Sequence, residues 1–252
     1  YLIYFYIEMK LFKLFILSLF PNIESLHIRN PIKSSLGGLE LGVATLSTGL
    51  IMDNTISKKS LTSLKTNDEV LYNKGMLCVY NNLIVLGPIY YYLLEHSIIN
   101  DHTSNINIIE TFSIVSIHSL GYYTTHRLMH RSNLFRKYHN FHHQFNETLI
   151  PSIGNAVSKD EFTFAYMTPF VIGAWIVNPN LNSFNLAIWI VSFMNLVIHT
   201  QELEDIKYNH FFVSPKTHLN HHQGKNIKGT YSAPIFNLEY IYSKINNMTS
   251  IQ

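Results

Sequence analysis

Four stretches of the chain are apolar over nearly the thickness of a bilayer, and polar segments separate them. They run over about 76–98, 107–125, 162–177 and 184–198. Roughly 20 apolar residues cross a hydrocarbon core as helix, so the last two are short and rely on flanking residues or a thinner bilayer. The break inside each pair is small and polar, Asn100 to Asn105 and Asn178 to Ser183. The pattern predicts two helical hairpins. Upstream, residues 1–20 are apolar but interrupted by Glu8, Lys10 and Lys13, and Pro21-Asn22 follows where a secretory signal would carry small residues. They predict an interfacial helix or a poor span. Residues 36–52, Gly- and Thr-rich, are compatible with a short membrane helix. Residues 53–75, with Lys58, Lys59, Lys65 and Lys74, predict a water-facing loop. The chain thus divides into a membrane-associated segment, 1–75, and a larger unit, 76–252.

The basic residues orient this arrangement. Every Lys and Arg after residue 53 lies in 53–75, 126–161 or 199–252, and neither short turn holds one. Basic loops stay on the cytoplasmic side, so those three segments are expected to face the cytoplasm. The fold class expected is all-α: an integral membrane bundle of about four spans under a cytoplasmic cap.

Composition narrows the function classes. Charged residues make up 13%, against about 25% in an ordinary soluble domain, and the mean hydropathy of +0.08 suits spans alternating with polar segments. A net charge of +2 excludes a nucleic-acid footprint. One Cys excludes a disulfide framework and a Cys-based zinc finger. The anomaly is histidine, at 14 residues.

Most of these histidines stand in three spaced groups on the expected cytoplasmic side. They are His126 and His130 in HRLMH, His139, His142 and His143 in HNFHH, and His218, His221 and His222 in HLNHH; His199 follows the last span. Positions i, i+3 and i+4 share a helix face, and neutral imidazole binds iron, zinc, copper and nickel. Eight or nine convergent imidazoles exceed the four ligands of one zinc-like site, so the spacing predicts an all-histidine centre for two metals. Isolated histidines carry no such signal. His27, His96 and His102 read as ordinary packed or solvated residues, His118 as a core residue or a support for the site, and His210 stays unassigned.

SLGYYTTHRLMH (119–130), KYHNFHHQFN (137–146), SPKTHLNHHQGKN (214–226) and IHTQE (198–202) together resemble the histidine boxes of the fatty acid hydroxylase / sterol desaturase superfamily of membrane non-haem di-iron oxygenases. The likeness covers about 76–242. It implies that His126, His130, His139, His142, His143, His218, His221 and His222 are catalytic metal ligands, with His199 a ninth, holding two iron ions that zinc can replace. Arg127, Tyr122 and Tyr123 are candidates to support them. The chain departs from the family pattern at Ser119, at Leu203, at Thr230-Tyr231-Ser232 and at Leu238-Glu239. Leu203 stands where some hydroxylases carry another His, and Glu202 is the nearby oxygen donor that could take its place. Asn146, Ser158 and Glu161 follow the second box and read as a solvated loop or as cavity lining.

The resemblance implies O2-dependent oxidation of a lipid C–H bond, fatty acyl, sphingoid or sterol, giving an alcohol. A sterol desaturase or methyl-sterol oxidase is the nearest alternative, and a His-rich membrane metal-binding protein without catalysis the more distant one. Neither a His-Pro-Gly-Gly haem motif nor a Gly-rich dinucleotide fingerprint is present. The expected partners are therefore a membrane cytochrome b5-type electron donor and its NAD(P)H reductase, and the expected location is the endoplasmic reticulum with the boxes on its cytoplasmic face.

Overall fold

The computed structural model describes residues 31–97, 99, 105–224 and 230–249. The helix expected over 1–20, together with His27 and His102, lies outside them. Among the described residues the chain is helical, with one isolated antiparallel bridge, Phe212 to Phe236.

Three helices are long and apolar enough to cross a membrane, over Ser35–Thr55, Glu69–His96 and Leu181–Ile198. The first lies in α1 (Pro31–Thr55), so the weakly apolar stretch 36–52 belongs to a full-length helix. The loop expected over 53–75 is instead α2 (Lys58–Asn67) and the start of α3 (Glu69–Tyr80). Its polar composition hides a short amphipathic period: Leu61 and Leu64 are buried three residues apart while the lysines face outward. Asp68 then caps α3 by accepting from the Leu71 N–H. A boundary at residue 75 falls inside this helix.

A π-helical turn, Asn81–Leu86, joins α3 to α4 (Gly87–Ser97). The expected span 107–125 is the N-cap Asn107 and the first turns of the 24-residue α5 (Ile108–Arg131), which is not among those three apolar helices. The expected span 162–177 is a second π turn, Phe162–Met167, running into α8 (Thr168–Val177). Between them come α6 (Asn133–His139), 3-10 turns at His142–Gln144 and Pro151–Asn155, and the single turn α7 (Lys159–Glu161). The last long helix is α9 (Leu181–Ile198), followed by α10 (Pro215–His222) and α11 (Leu238–Thr249).

Packing explains how the ends of these helices converge. α1 crosses the first π turn so closely that a Cβ on Gly42 would lie 2.0 Å from the Leu83 carbonyl oxygen, an approach only glycine permits. At one end of the bundle, Glu110 accepts from both the backbone and side-chain amides of Asn180, at 3.0 and 2.9 Å. The Asn107 N–H donates to Ser183 Oγ at 2.7 Å. The starts of α5 and α9, which the apolar pattern assigns to different hairpins, are thereby locked side by side, and α5 packs against α8 and α9 rather than against α4. Asn178 ends α8 in the left-handed conformation, at φ 47°. The other end, where α5 finishes and α9 delivers His199, collects the histidines.

The C-terminal segment departs from the expectation that everything after residue 199 caps the bundle. The Tyr231 carbonyl meets His126, and the Phe236 ring lies 5.9 Å from that of Phe112. Those two α5 positions are about 21 Å apart along the helix. The stretch between Tyr231 and Phe236 therefore runs alongside α5, and Ile235 enters the core cluster of Ile114, Phe170 and Phe184. The cause is local: Val213 N–H donates to Ile235 O and Asn237 N–H to Phe211 O, which hold two apolar segments together against the helix.

Candidate metal centre

Box one occupies the last turns of α5, where His126 and His130 are one helical turn apart on the same face. Box two spans a bend: α6 ends at His139, and a 3-10 turn begins at His142. Box three forms the end of α10, which Pro215 opens and Ser214 caps through the Thr217 N–H. His199 follows α9.

The nine side chains come together in two groups. His126, His130, His139, His143 and His221 form one, and His142, His199, His218 and His222 the other; within each group the ring nitrogens lie within 4.8 Å of one another. The paired histidines of boxes two and three are divided: His142 and His143 go to different groups, as do His221 and His222. The groups adjoin, since the His143 and His222 rings stack at 4.8 Å.

Four imidazoles are held from behind. His126 Nδ1 donates to the Tyr231 carbonyl at 2.8 Å, His199 Nδ1 to Asn195 O at 2.7 Å and His222 Nδ1 to Phe145 O at 3.1 Å. His139 Nδ1 meets Glu161 Oε1 at 2.6 Å. A carbonyl can only accept, so Nδ1 carries the proton in the first three rings and Nε2 presents its lone pair inward. The Nε2 atoms then crowd together: His126 to His139 at 2.9 Å, His143 to His139 at 2.9 Å and His218 to His199 at 2.9 Å. Ring nitrogens gathered at that spacing are close enough to share a metal ion. His221 has neither ring nitrogen partnered by protein. This donor set fits two metal ions.

Burial keeps these rings neutral. Loss of solvation, and then repulsion from the neighbouring imidazoles, puts His139, His142, His218, His221 and His222 well below the usual histidine range. Burial also brings His143 and His199 down to about 4. Neutral imidazole is the form that binds metal.

Glu161, read from the sequence as part of a solvated loop, is fully buried. Burial pushes its carboxyl above the ordinary range, and its only protein partner through Oε1 is His139. A carboxylate behind a ligating histidine fixes ring orientation and raises ligand basicity. Ser158 caps the short turn before it, accepting from the Glu161 N–H and donating to Tyr138 O. Asn146 lines the cavity outside the histidines.

The other candidates separate by position. Tyr122 is buried and packs 5.2 Å from both the His126 and Tyr166 rings. Tyr123 and Arg127 pair with each other instead, Nη1 donating to the phenol oxygen at 3.1 Å. Glu202 does not supply an oxygen ligand: its carboxylate accepts from Ser57 and Ser60 and belongs to neither histidine group. His118 lies two turns below His126 against Phe170, His96 stacks on Tyr92 and His210 packs near Tyr240; all three lie outside both groups.

A cavity of about 710 Å³ opens onto the centre, lined by His130, His139, His143 and His222 together with Arg131 and Arg136. One open face against buried backing is the form of a catalytic metal site, which keeps a position for a reactant. The model of the fatty acid hydroxylase family matches residues 111–241, which contain all nine histidines. No curated protein and no solved structure matches the chain.

Proposed function

The chain belongs to the fatty acid hydroxylase family, and from that premise we propose that it is a membrane di-iron oxygenase that hydroxylates a C–H bond of a fatty acyl, sphingoid or sterol lipid. The observation that carries the reading is the division of nine histidines into groups of five and four with their ring nitrogens inward. The five-membered group would hold one iron and the four-membered group the other. Iron in such a pair supplies the O2 reduction and C–H oxidation that protein side chains cannot.

The chain's own residues supply the rest. Tyr231, Asn195 and Phe145 hold ring tautomers through backbone carbonyls, and Glu161 does so through its carboxylate. The packed layer of Phe145, Leu149, Ile150 and Ile153 excludes water behind the histidines. The open cavity admits the reacting carbon while the rest of the lipid stays with the apolar bundle.

Two electrons per turnover come, in this reading, from a separate cytochrome b5-type protein and its NAD(P)H reductase. Arg131 and Arg136 beside the cavity offer an acidic donor a matching charge. The distribution of Lys and Arg supports a cytoplasmic orientation of the boxes, and lipid oxidation with such a donor suits the endoplasmic reticulum. The unit that carries the reaction would include α1 to α3, because Leu61, Leu64 and Met76 share a core with Phe145 and Ile153 behind the histidines.

Metal analysis of the purified protein, joined to lipid profiling of cells with and without it, tests the proposal. Two irons per chain and a hydroxylated lipid that appears only with the protein are expected. A new double bond or an oxidised sterol methyl would identify the desaturase-like alternative, and absence of bound metal would remove the enzyme reading.

A further inference from the structure

A second cavity lies inside the bundle and touches none of the nine histidines. It is a slot of about 60 Å³ where the three helices of membrane length meet: Gly38 and Gly42 line it from the first, Tyr91 and Leu94 from the second, Ile188 and Val191 from the third. Most polar groups along it are committed to protein partners. Thr45 Oγ1 donates to Leu41 O, Tyr91 OH to Asn185 Oδ1, and Asn195 Nδ2 to Gly154 O. An apolar cavity of this kind stays dry and takes small apolar guests such as xenon. One water needs about 10–15 Å³ on the same scale, so the slot has room for a small gas molecule and none for a lipid chain.

The slot ends one residue layer from the metal centre. Asn195 lines it, and the carbonyl of Asn195 accepts from His199 Nδ1 at 2.7 Å. Tyr166 lines it too; its ring lies 5.2 Å from that of Tyr122, which lies 5.2 Å from that of His126. The larger cavity reaches the centre elsewhere, at His130, His139, His143 and His222, and shares no lining residue with the slot. Molecular oxygen is small and apolar, so it favours the hydrocarbon core of a bilayer over water. A slot framed by spanning helices is placed to draw on that supply.

We propose that the slot binds molecular oxygen, fills from the bilayer, and passes the gas to the histidines past Asn195 and Tyr166 as their packing fluctuates. The inference rests on the O2-dependent reading above and adds a separate entrance to it: the lipid carbon arrives through the larger cavity, and oxygen arrives through the bundle.

The test uses xenon and oxygen as probes on the full chain in detergent. Xenon NMR of the metal-free wild type should show one saturable site. Val191→Phe puts bulk into the slot and should abolish that site. Ile188→Trp should do the same from a partly buried position that tolerates bulk, which guards against misfolding of the first variant. Val191→Ala widens the slot and should keep the site. With reduced iron bound, both filling variants should slow oxidation of the metal by dissolved oxygen severalfold at unchanged iron content, and Val191→Ala should not. Absence of a saturable xenon site in the wild type would overturn the proposal, and so would oxidation as fast in the filled variants as in the wild type. Protein that holds no iron would remove the oxygenase reading and the oxygen assignment with it, while xenon still reports the slot, so the two failures are distinguishable.

Discussion

Replacing Glu161 by Leu isolates what one buried carboxyl contributes to metal binding. The side chain is fully buried, and its Oε1 lies 2.6 Å from His139 Nδ1. Leaving a buried hydrogen-bonding group without its partner costs about 1–3 kcal/mol. Outer partners of ligating histidines are independently worth about 10–100-fold in metal affinity, roughly 1.4–2.7 kcal/mol. The two estimates agree, so Glu161→Leu should weaken the site that contains His139 by about one to two orders of magnitude. None of His142, His199, His218 and His222 is hydrogen-bonded to Glu161. A chelator competition with Zn²⁺ on the detergent-purified protein should therefore show one binding step shifted and one unmoved. Glu161→Gln, which retains an acceptor oxygen, should fall between the variant and the wild type. If both steps shift together, the substitution has loosened the whole cap. If neither shifts, the carboxyl does not support the metal, and the reasoning fails.

Three further expectations follow from the same geometry. Stability of the metal-free protein should fall with pH in the acid range: the unfolded histidines titrate near 6.5, while His143 and His199 are held at about 4 in the fold. Above pH 7 neither state binds the protons, and between about 6.5 and 4 only the unfolded chain does. Each such ring removes up to about 1.4 kcal/mol per pH unit there, and an unfolding temperature equal at pH 7.5 and pH 5 would contradict it. His221→Ala and His142→Ala each take a ligand from a different group, so each should lower bound metal from two towards one per chain, and the double variant further, by elemental analysis. Asn146 (NET) and Asn247 (NMT) are glycosylation sequons; both should migrate unmodified in a gel-shift assay after expression in microsomes, and glycan on either would reverse the proposed orientation.

The histidine boxes were legible because ligand spacing is local and a run such as HNFHH carries its meaning in five residues. Their assignment to two groups was not legible. It depends on the bend between His139 and His142 and on the angle at which α10 enters, both set by packing against Phe145 and Leu219. The apolar periods marked α4, α5, α8 and α9 as helices but not their pairing: α1 packs on α4, and α5 on α8 and α9. They failed at 53–75, where two buried leucines among lysines and serines are too few to dominate a polar composition. The supports of the site were the least visible part. Tyr231, Asn195 and Phe145 act through backbone carbonyls, which every residue possesses, and Glu161 is one acidic residue in SKDEF with nothing in its neighbours to reveal that it is buried.

The split of box three between the two histidine groups also bears on how the protein is made. The group of four lacks two members until His218 and His222 are synthesised, and the group of five lacks one until His221 is. A ribosome that has delivered α5, α6 and even α9 has still produced only partial sites. A chain that ends before α10 would therefore release neither group complete, and both groups close together as α10 docks.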